Sequence, residues 1–454
     1  MTAQKKQKRL FGTNGVRGIT GKDMTPELAL TIGKSLGQMR KGRIAVGRDT
    51  RTSGETLCNA LKAGLLATGC DVDDCGILPT PALQYLVRDG YAGGAMITAS
   101  HNPPEYNGVK IIEPDGTEMG DDETIQLEEL IFGPAIPLVP WDHVGKERQL
   151  PHLLGQYIEG IIHKFPGSPG NGMTVVADPG SGPACITTAK ILEGLGCRVL
   201  TVNGIMDGTF PGRMPEPSVE GLKNLADLVV SSGASFGVAH DGDADRAVFV
   251  DENGQFVEEN AEFAVVAQTI CRQKKGVVVT PVSSGQVIEE TIRSEGSTIR
   301  YTPVGSIYVA RTMRSLIEKG EPVIFGGEGN GGLIFPDHQF CRDGGMTAAM
   351  MVSLLSTSKK KISELVQELP KRYIIKEKIA AKKGAEILAA LPAQYPGSRI
   401  DLTDGVKIFT SDAWALVRAS GTEPIIRIII DAKTPSAGTA LYNDLKIRLK
   451  SITG

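Results

Sequence analysis

Four short stretches carry residue types suited to phosphate and hydroxyl chemistry. The first is Thr98-Ala99-Ser100-His101-Asn102-Pro103-Pro104, where a hydroxyl and an imidazole sit side by side just past an apolar run. Sheets of α/β proteins place ligand-binding groups at strand carboxyl ends, and two prolines cannot continue regular structure. Ser100 and His101 therefore stand on a stiff corner, with Ser100 as a candidate nucleophile. No G-x-S-x-G surrounds this serine, unlike the hydrolase elbow, and a capped turn without chemistry is the plainer alternative. Asn107-Gly108-Val109 then turns the chain and carries Lys110 onto the next strand. The second stretch, His240-Asp241-Gly242-Asp243-Ala244-Asp245-Arg246, alternates three carboxylates between β-like flanks. Such a trio repels itself without a cation, and hard oxygen donors favour Mg²⁺ or Ca²⁺. An EF-hand would need glycine where Arg246 stands and helices on both sides; a solvated acidic turn is the other alternative.

The third stretch holds five glycines in the seven residues 326–332, with Glu328 and Asn330 among them. Glycines let backbone approach a ligand, while an acceptor and an amide suit the hydroxyls of a polyol; a flexible loop is the bland alternative. The fourth, Arg418-Ala419-Ser420-Gly421-Thr422-Glu423-Pro424 with Arg427 behind it, offers guanidinium, hydroxyls and free N–H groups around glycine as an anion cradle. It lacks the G-x-x-x-x-G-K-[ST] of a nucleotide loop, so a phosphate monoester fits better than ATP.

Nucleophilic hydroxyl, carboxylate metal site, hydroxyl reader and phosphate cradle together are the parts needed for phosphoryl transfer to a sugar phosphate. In this order, and over essentially the whole chain, the four motifs resemble those of the α-D-phosphohexomutase family. The opening Phe11-Gly12-Thr13-Asn14-Gly15-Val16-Arg17-Gly18 is similar to that family's phosphoglucosamine mutase branch, above all its archaeal members. The resemblance implies an isomerase that interconverts glucosamine 6-phosphate and 1-phosphate through a phosphoserine and a sugar 1,6-bisphosphate. It implies Mg²⁺ as cofactor and the bisphosphate as activator. Glucose or mannose phosphates are alternative substrates within the family, and a Mg²⁺-dependent sugar phosphomonoesterase is the alternative from another class. By the same resemblance, Ser100 would carry the phosphoryl group, with Arg17, His101 and Lys110 lining it. Asp241, Asp243 and Asp245 would hold Mg²⁺ together with an oxygen on Ser100, and Arg246 would sit beside that loop. Glu328 and Asn330 would read sugar hydroxyls, while Arg418, Ser420, Gly421, Thr422 and Arg427 would grip the phosphate that is not transferred. One departure stands out. Many members carry Ser and then His in the glycine loop, where this chain has Asn330 and Gly332. The acid–base role would pass to Lys110, its pKa dropped by neighbouring cations, or to His101, with His338 in reserve.

The elements that must position these residues follow strand–helix–strand grammar. Thr25-Pro26-Glu27 opens a helix with an N-cap hydroxyl and an early proline, and residues 43–47 form a short buried strand. Ser53 opens a second helix through Leu57, Leu61 and Leu65. Similar units recur near residues 174–199 and 277–299, which reads as three tandem α/β domains; the resemblance adds a smaller C-terminal domain and a central cleft. Turn-rich segments and composition shifts divide the chain at 1–155, 156–256, 257–370 and 371–454. The last division opens on a basic stretch, 371–383, whose first residues are expected to hinge a mobile domain, and closes on an apolar strand and a short amphipathic helix.

Bulk properties narrow the field. A net charge of −3 supplies no basic field for nucleic acid, and aromatics at 5% argue against base-stacking platforms. No apolar run is long enough to span a membrane, and the basic first ten residues lack a signal peptide's apolar core. Seven cysteines without a CxxC pair read as reduced thiols of a cytoplasmic protein. Small hexose phosphates are the expected partners of a monomer or homodimer.

Overall fold

The computed structural model describes residues 8–381, 383–419 and 425–453. These fall into two compact units: residues up to Glu262 together with Asn330–Val366, and Phe263–Gly329 together with Gln367 onward.

In the first unit a six-stranded sheet runs in the order Val16–Ile19, Tyr106–Ile112, Gly93–Ile97, Arg43–Arg48, Asp71–Ile77 and Glu147–Gln149. The last four strands are parallel and the first two antiparallel. Helix Pro26–Met39 starts where the sequence predicts, because Thr25 accepts a hydrogen bond from the Leu28 N–H and Pro26 supplies a preset φ. Its Ala29, Ile32 and Leu36 are fully buried, and each large side chain removed from water contributes about 1.5–3 kcal/mol. Helix Gly54–Ala67 opens after Ser53 as expected, without a side-chain cap hydrogen bond. A second sheet, Ala247–Val250, Phe236–His240, Thr174–Asp178 and Arg198–Thr201, has one antiparallel edge and three parallel strands. Parallel strands deliver their carboxyl ends to one rim, which is where both chemistry-bearing loops emerge.

In the second unit Val277–Pro281 is flanked in parallel by Thr298–Thr302 and Val323–Glu328. A separate, wholly antiparallel sheet runs Tyr373–Ala380, Ile425–Ala432, Ala413–Ala419, Val406–Phe409 and Arg399–Asp401. From Tyr373 the basic stretch is a strand, paired with Ile425–Ala432 from Tyr373↔Ala432 to Ala380↔Ile425. Its Ile375 and Ile379 pack on the apolar core while the lysines between them point away. The closing helix, Pro435–Thr453, is 19 residues long rather than short.

Lys407 is buried in this unit, where its Nζ donates to the Val282 carbonyl at 2.7 Å and lies 3.8 Å from the centre of the Trp414 ring. Burial pulls its pKa down to about 8, against the pull of Glu289 and Asp401. Between about 8 and its ordinary value of 10.5 the unfolded chain holds a proton that the folded chain has lost. Stability should therefore climb with pH through that window and carry the full cost of the buried ammonium below it. At 1.36 kcal/mol per unit the cost is at most about 3 kcal/mol, offset in part by about 1–2 kcal/mol from the aromatic rings. Thermal unfolding of Lys407→Met beside the parent at pH 7 and 9.5 checks this: the difference between the two proteins should shrink at the higher pH.

Candidate active site

Ser100 lies beyond strand Gly93–Ile97 and is 1% exposed. Its φ of 50° is left-handed, a region that a residue with a Cβ seldom adopts. The Ser100 N–H donates to Thr98 Oγ1 at 2.9 Å, and the Ser100 hydroxyl donates to Asp241 Oδ2, also at 2.9 Å. Loops far apart in sequence thus meet at one hydrogen bond. Gly242 is required for the approach, since a Cβ there would lie 2.3 Å from the Ser100 carbonyl oxygen.

Asp241, Asp243 and Asp245 are all buried, and one carboxylate oxygen from each lies within 4.8 Å of the others. A solvated acidic turn is excluded. The self-repulsion expected of the trio is answered within the protein: Lys110 Nζ donates to Asp243 Oδ2 at 2.7 Å and to Asp245 Oδ2 at 3.1 Å. Arg342 reaches Asp245 Oδ2 at 2.6 Å, and Arg246 Nε reaches Asp241 Oδ2 at 3.2 Å. What fits a metal is the set of oxygens left over. Oδ1 of Asp243 and Oδ1 of Asp245 are buried without a hydrogen-bond partner, and such atoms are costly unless something binds them. Hard carboxylate oxygens beside a hydroxyl suit Mg²⁺.

Charge within the cluster is divided unevenly. Burial, then Asp245, pushes the Asp241 carboxyl up to about 7. Burial alone would do the same to Asp243, but Lys110 and the Thr80 hydroxyl, which donates to Asp243 Oδ2 at 2.6 Å, hold it far below the usual range. Burial would likewise raise Asp245, yet Arg342 and Lys110 bring it down. Lys110 differs from expectation: burial works against its charge, but Asp243 and Asp245 outweigh burial and raise its pKa. It is a fixed ammonium rather than a proton donor with a dropped pKa.

The other expected residues are placed as follows. Arg17, on strand Val16–Ile19, donates to Asn102 Oδ1 at 3.0 Å. His101 Nδ1 lies 3.5 Å from Ser100 Oγ, and desolvation, then Arg246, lowers its pKa to about 4. Arg246 is itself fully engaged, with two further hydrogen bonds of 3.0 and 2.9 Å to Glu216. His338 is buried, stacked on Tyr85 with ring centres 5.1 Å apart and facing Asp343 at 3.3 Å; it is a core side chain. Asn330 folds back, its Oδ1 accepting the Gly332 N–H at 3.2 Å. Glu328, which ends strand Val323–Glu328 of the second unit, is buried. In that unit Arg418 stands directly opposite Arg427 across two strands and bonds Asp404 through Nε at 3.0 Å and Nη2 at 2.8 Å. Ser420, Gly421 and Thr422 lie outside the described residues.

Sequence reasoning missed Asp49, Arg51, Thr80, Glu216 and Arg342. Only Asp49-Thr50-Arg51 carried a usable signal, its place just beyond the carboxyl end of strand Arg43–Arg48. All seven cysteines are free, as expected, and burial pushes the thiols of Cys58 and Cys75 up to about 12.

A strained serine aimed at a buried trio of aspartates is chemically able to carry a phosphoryl group. Residues 8–135, 155–254 and 258–373 match the α/β/α domains I, II and III of phosphoglucomutase/phosphomannomutase, and residues 366–445 match its C-terminal domain. The chain is 44% identical to the phosphoglucomutase/phosphomannomutase of Thermococcus kodakarensis, covering 97% of this chain and 98% of that one. It is 37% identical to the phosphoglucosamine/phosphogalactosamine mutase of Sulfurisphaera tokodaii, over 96% and 98%. A crystal structure of a family protein from Burkholderia thailandensis superposes with a TM-score of 0.86 at 25% identity, over 97% of each chain. The chain belongs to the phosphoglucomutase/phosphomannomutase family of α-D-phosphohexomutases, with three similar α/β domains followed by a C-terminal domain.

Proposed function

We propose that this protein is a phosphohexomutase that moves a phosphoryl group between C6 and C1 of glucosamine phosphate, using Ser100 as the carrier. The observation that carries the reading is the 2.9 Å hydrogen bond from the Ser100 hydroxyl to Asp241, inside an acidic trio with two unpartnered oxygens. In the first half-reaction a sugar hydroxyl attacks phosphoserine: an O–P bond to the sugar forms, the bond to Ser100 Oγ breaks, and a sugar bisphosphate results. Its other phosphate is then returned to Ser100. Asp241, Asp243 and Asp245 would hold Mg²⁺, which when bound neutralises charge on the transferred group.

The protein's own groups do the rest. Lys110 stays charged and orients two carboxylates, and Arg17 braces Asn102 beside the serine. His101 is neutral at pH 7 and stands ready to take the sugar hydroxyl's proton. Arg418 and Arg427, with Ser420, Gly421 and Thr422 between them in sequence, would hold the phosphate that stays behind, while Glu328 and Asn330 would read hydroxyls. The amino-sugar assignment draws on the Sulfurisphaera relative. The Thermococcus relative favours a second reading in which glucose and mannose phosphates are also turned over.

Among the described residues no helix is long and apolar enough to cross a membrane. The free thiols suit a reducing cytoplasm.

The test follows glucosamine, glucose and mannose 6-phosphates by ³¹P NMR, with Mg²⁺ and a trace of hexose 1,6-bisphosphate. Appearance of the 1-phosphate supports a mutase and ranks the sugars. Release of inorganic phosphate alone would make the protein a phosphomonoesterase and reject the proposal.

A further inference from the structure

One buried ion pair beside the serine has no part in the mechanism above. Neither the Asp49 nor the Arg51 side chain is exposed (0% for each), and Arg51 Nε donates to Asp49 Oδ2 at 3.1 Å. Among the described residues, every other hydrogen bond of the Arg51 guanidinium goes to a backbone carbonyl in the stretch from Ser100 to Tyr106. Nη2 donates to the carbonyls of Ser100 at 2.8 Å and Asn102 at 2.6 Å. Nη1 donates to those of Pro103 at 2.6 Å and Tyr106 at 2.9 Å. The same Asp49 Oδ2 accepts from Thr98 Oγ1 at 2.6 Å, and that oxygen in turn accepts the Ser100 N–H. A left-handed serine is retained only where its surroundings over-determine it. Here one planar fork and one carboxylate hold both sides of that residue's backbone. The fit from outside is also close, because a Cβ on Gly208 would lie 2.2 Å from the Thr50 carbonyl oxygen, and the Phe210 ring lies 5.3 Å from Arg51 Cζ.

We propose that Arg51 is a positioning residue for phosphoryl transfer, whose grip on the carbonyls of residues 100, 102, 103 and 106 keeps the strained Ser100 hydroxyl aimed at Asp241. The proposal rests on the reading of Ser100 as the phosphoryl carrier. Arginine is required by geometry, since a guanidinium presents five N–H groups in a fixed plane whereas an ammonium has three on a pivot. Without the fork the loop can relax toward ordinary φ, which swings Oγ away from the acidic trio. A displacement of about 1 Å can cost about 100-fold in rate.

Arg51→Lys preserves charge and removes the fork. Its kcat should fall about 100-fold while KM stays within about threefold of the parent, and the ³¹P resonance of its phosphoserine should shift. Thr98→Val, which cuts the link from Asp49 to the Ser100 N–H, should move kcat in the same direction even if the lysine variant folds poorly. Lys62→Met is the control. It breaks a buried bond to Asp74 and a half-buried one to Glu147 elsewhere in the same domain, so it should lower thermal stability and leave kcat unchanged. A kcat within about threefold of the parent in folded Arg51→Lys or in Thr98→Val, or an equal loss in Lys62→Met, would overturn the proposal. A parent enzyme with turnover but no phosphate on Ser100 would instead overturn the carrier reading, and this proposal with it.

Discussion

Ser100→Ala should reduce mutase turnover on the order of 10⁴-fold or more, the scale on which enzymes lose activity with their nucleophile. The effect is this large because, among the described residues, no other hydroxyl hydrogen-bonds Asp241. The neighbouring Thr98 hydroxyl is already committed as donor to Asp49 and acceptor from the Ser100 N–H. Alanine also tolerates the left-handed backbone no better than serine does, so a modest loss of thermal stability is expected beside the loss of chemistry. Binding of glucosamine 6-phosphate, measured by calorimetry, should survive within about threefold, since truncating the carrier removes chemistry and not ground-state affinity. Intact mass should show one phosphate on the parent and none on the variant. Turnover by Ser100→Ala above about one hundredth of the parent would assign the phosphoryl group to another residue.

The second large effect is expected from Asp243→Asn. Oδ2 of Asp243 receives Lys110 and Thr80, and Oδ1 is buried with nothing on it. An amide must put its NH₂ in one of those two places. In the first it meets the Lys110 ammonium donor to donor; in the second it occupies the face a cation needs. Either way Mg²⁺ affinity should fall by about 100-fold, and turnover by about 10³-fold as the ion's several kcal/mol of charge stabilisation are lost. Thermal unfolding provides a readout independent of activity. At about 100 times its dissociation constant, Mg²⁺ should stabilise the parent by about 2.7 kcal/mol, and the same concentration should leave Asp243→Asn almost unmoved. Equal stabilisation of both proteins would remove the metal from this trio.

Both effects depend on residues that could be named before any fold was known, and the same is true of several elements. Helix Pro26–Met39 was legible because its start is written in local chemistry, a hydroxyl cap followed by proline. The strand that leads to Ser100 was legible as an apolar run stopped by polar residues and two prolines. The basic segment after residue 370 is not legible as a strand because its lysines mask a period of two, and only pairing with Ile425–Ala432 shows that Ile375 and Ile379 face inward. The acidic trio was recognised for its donors but not for its neighbours. Lys110 lies 133 positions from Asp243, and Arg342 lies 97 from Asp245. No spacing rule links such partners.

From the order of its residues alone, the chain declared which atoms could do chemistry, a hydroxyl, three carboxylates and paired arginines, and the α/β grammar that would carry them. These are properties of composition and short-range spacing, which act within a turn or a strand. Which oxygens are neutralised, which stay without a hydrogen-bond partner, and how the serine is held in a strained backbone were settled only when the chain closed on itself. Electrostatics and hydrogen bonding act across a few ångströms of space, and Arg51 reaches Ser100 over 49 residues of chain because two strand ends of one sheet lie side by side.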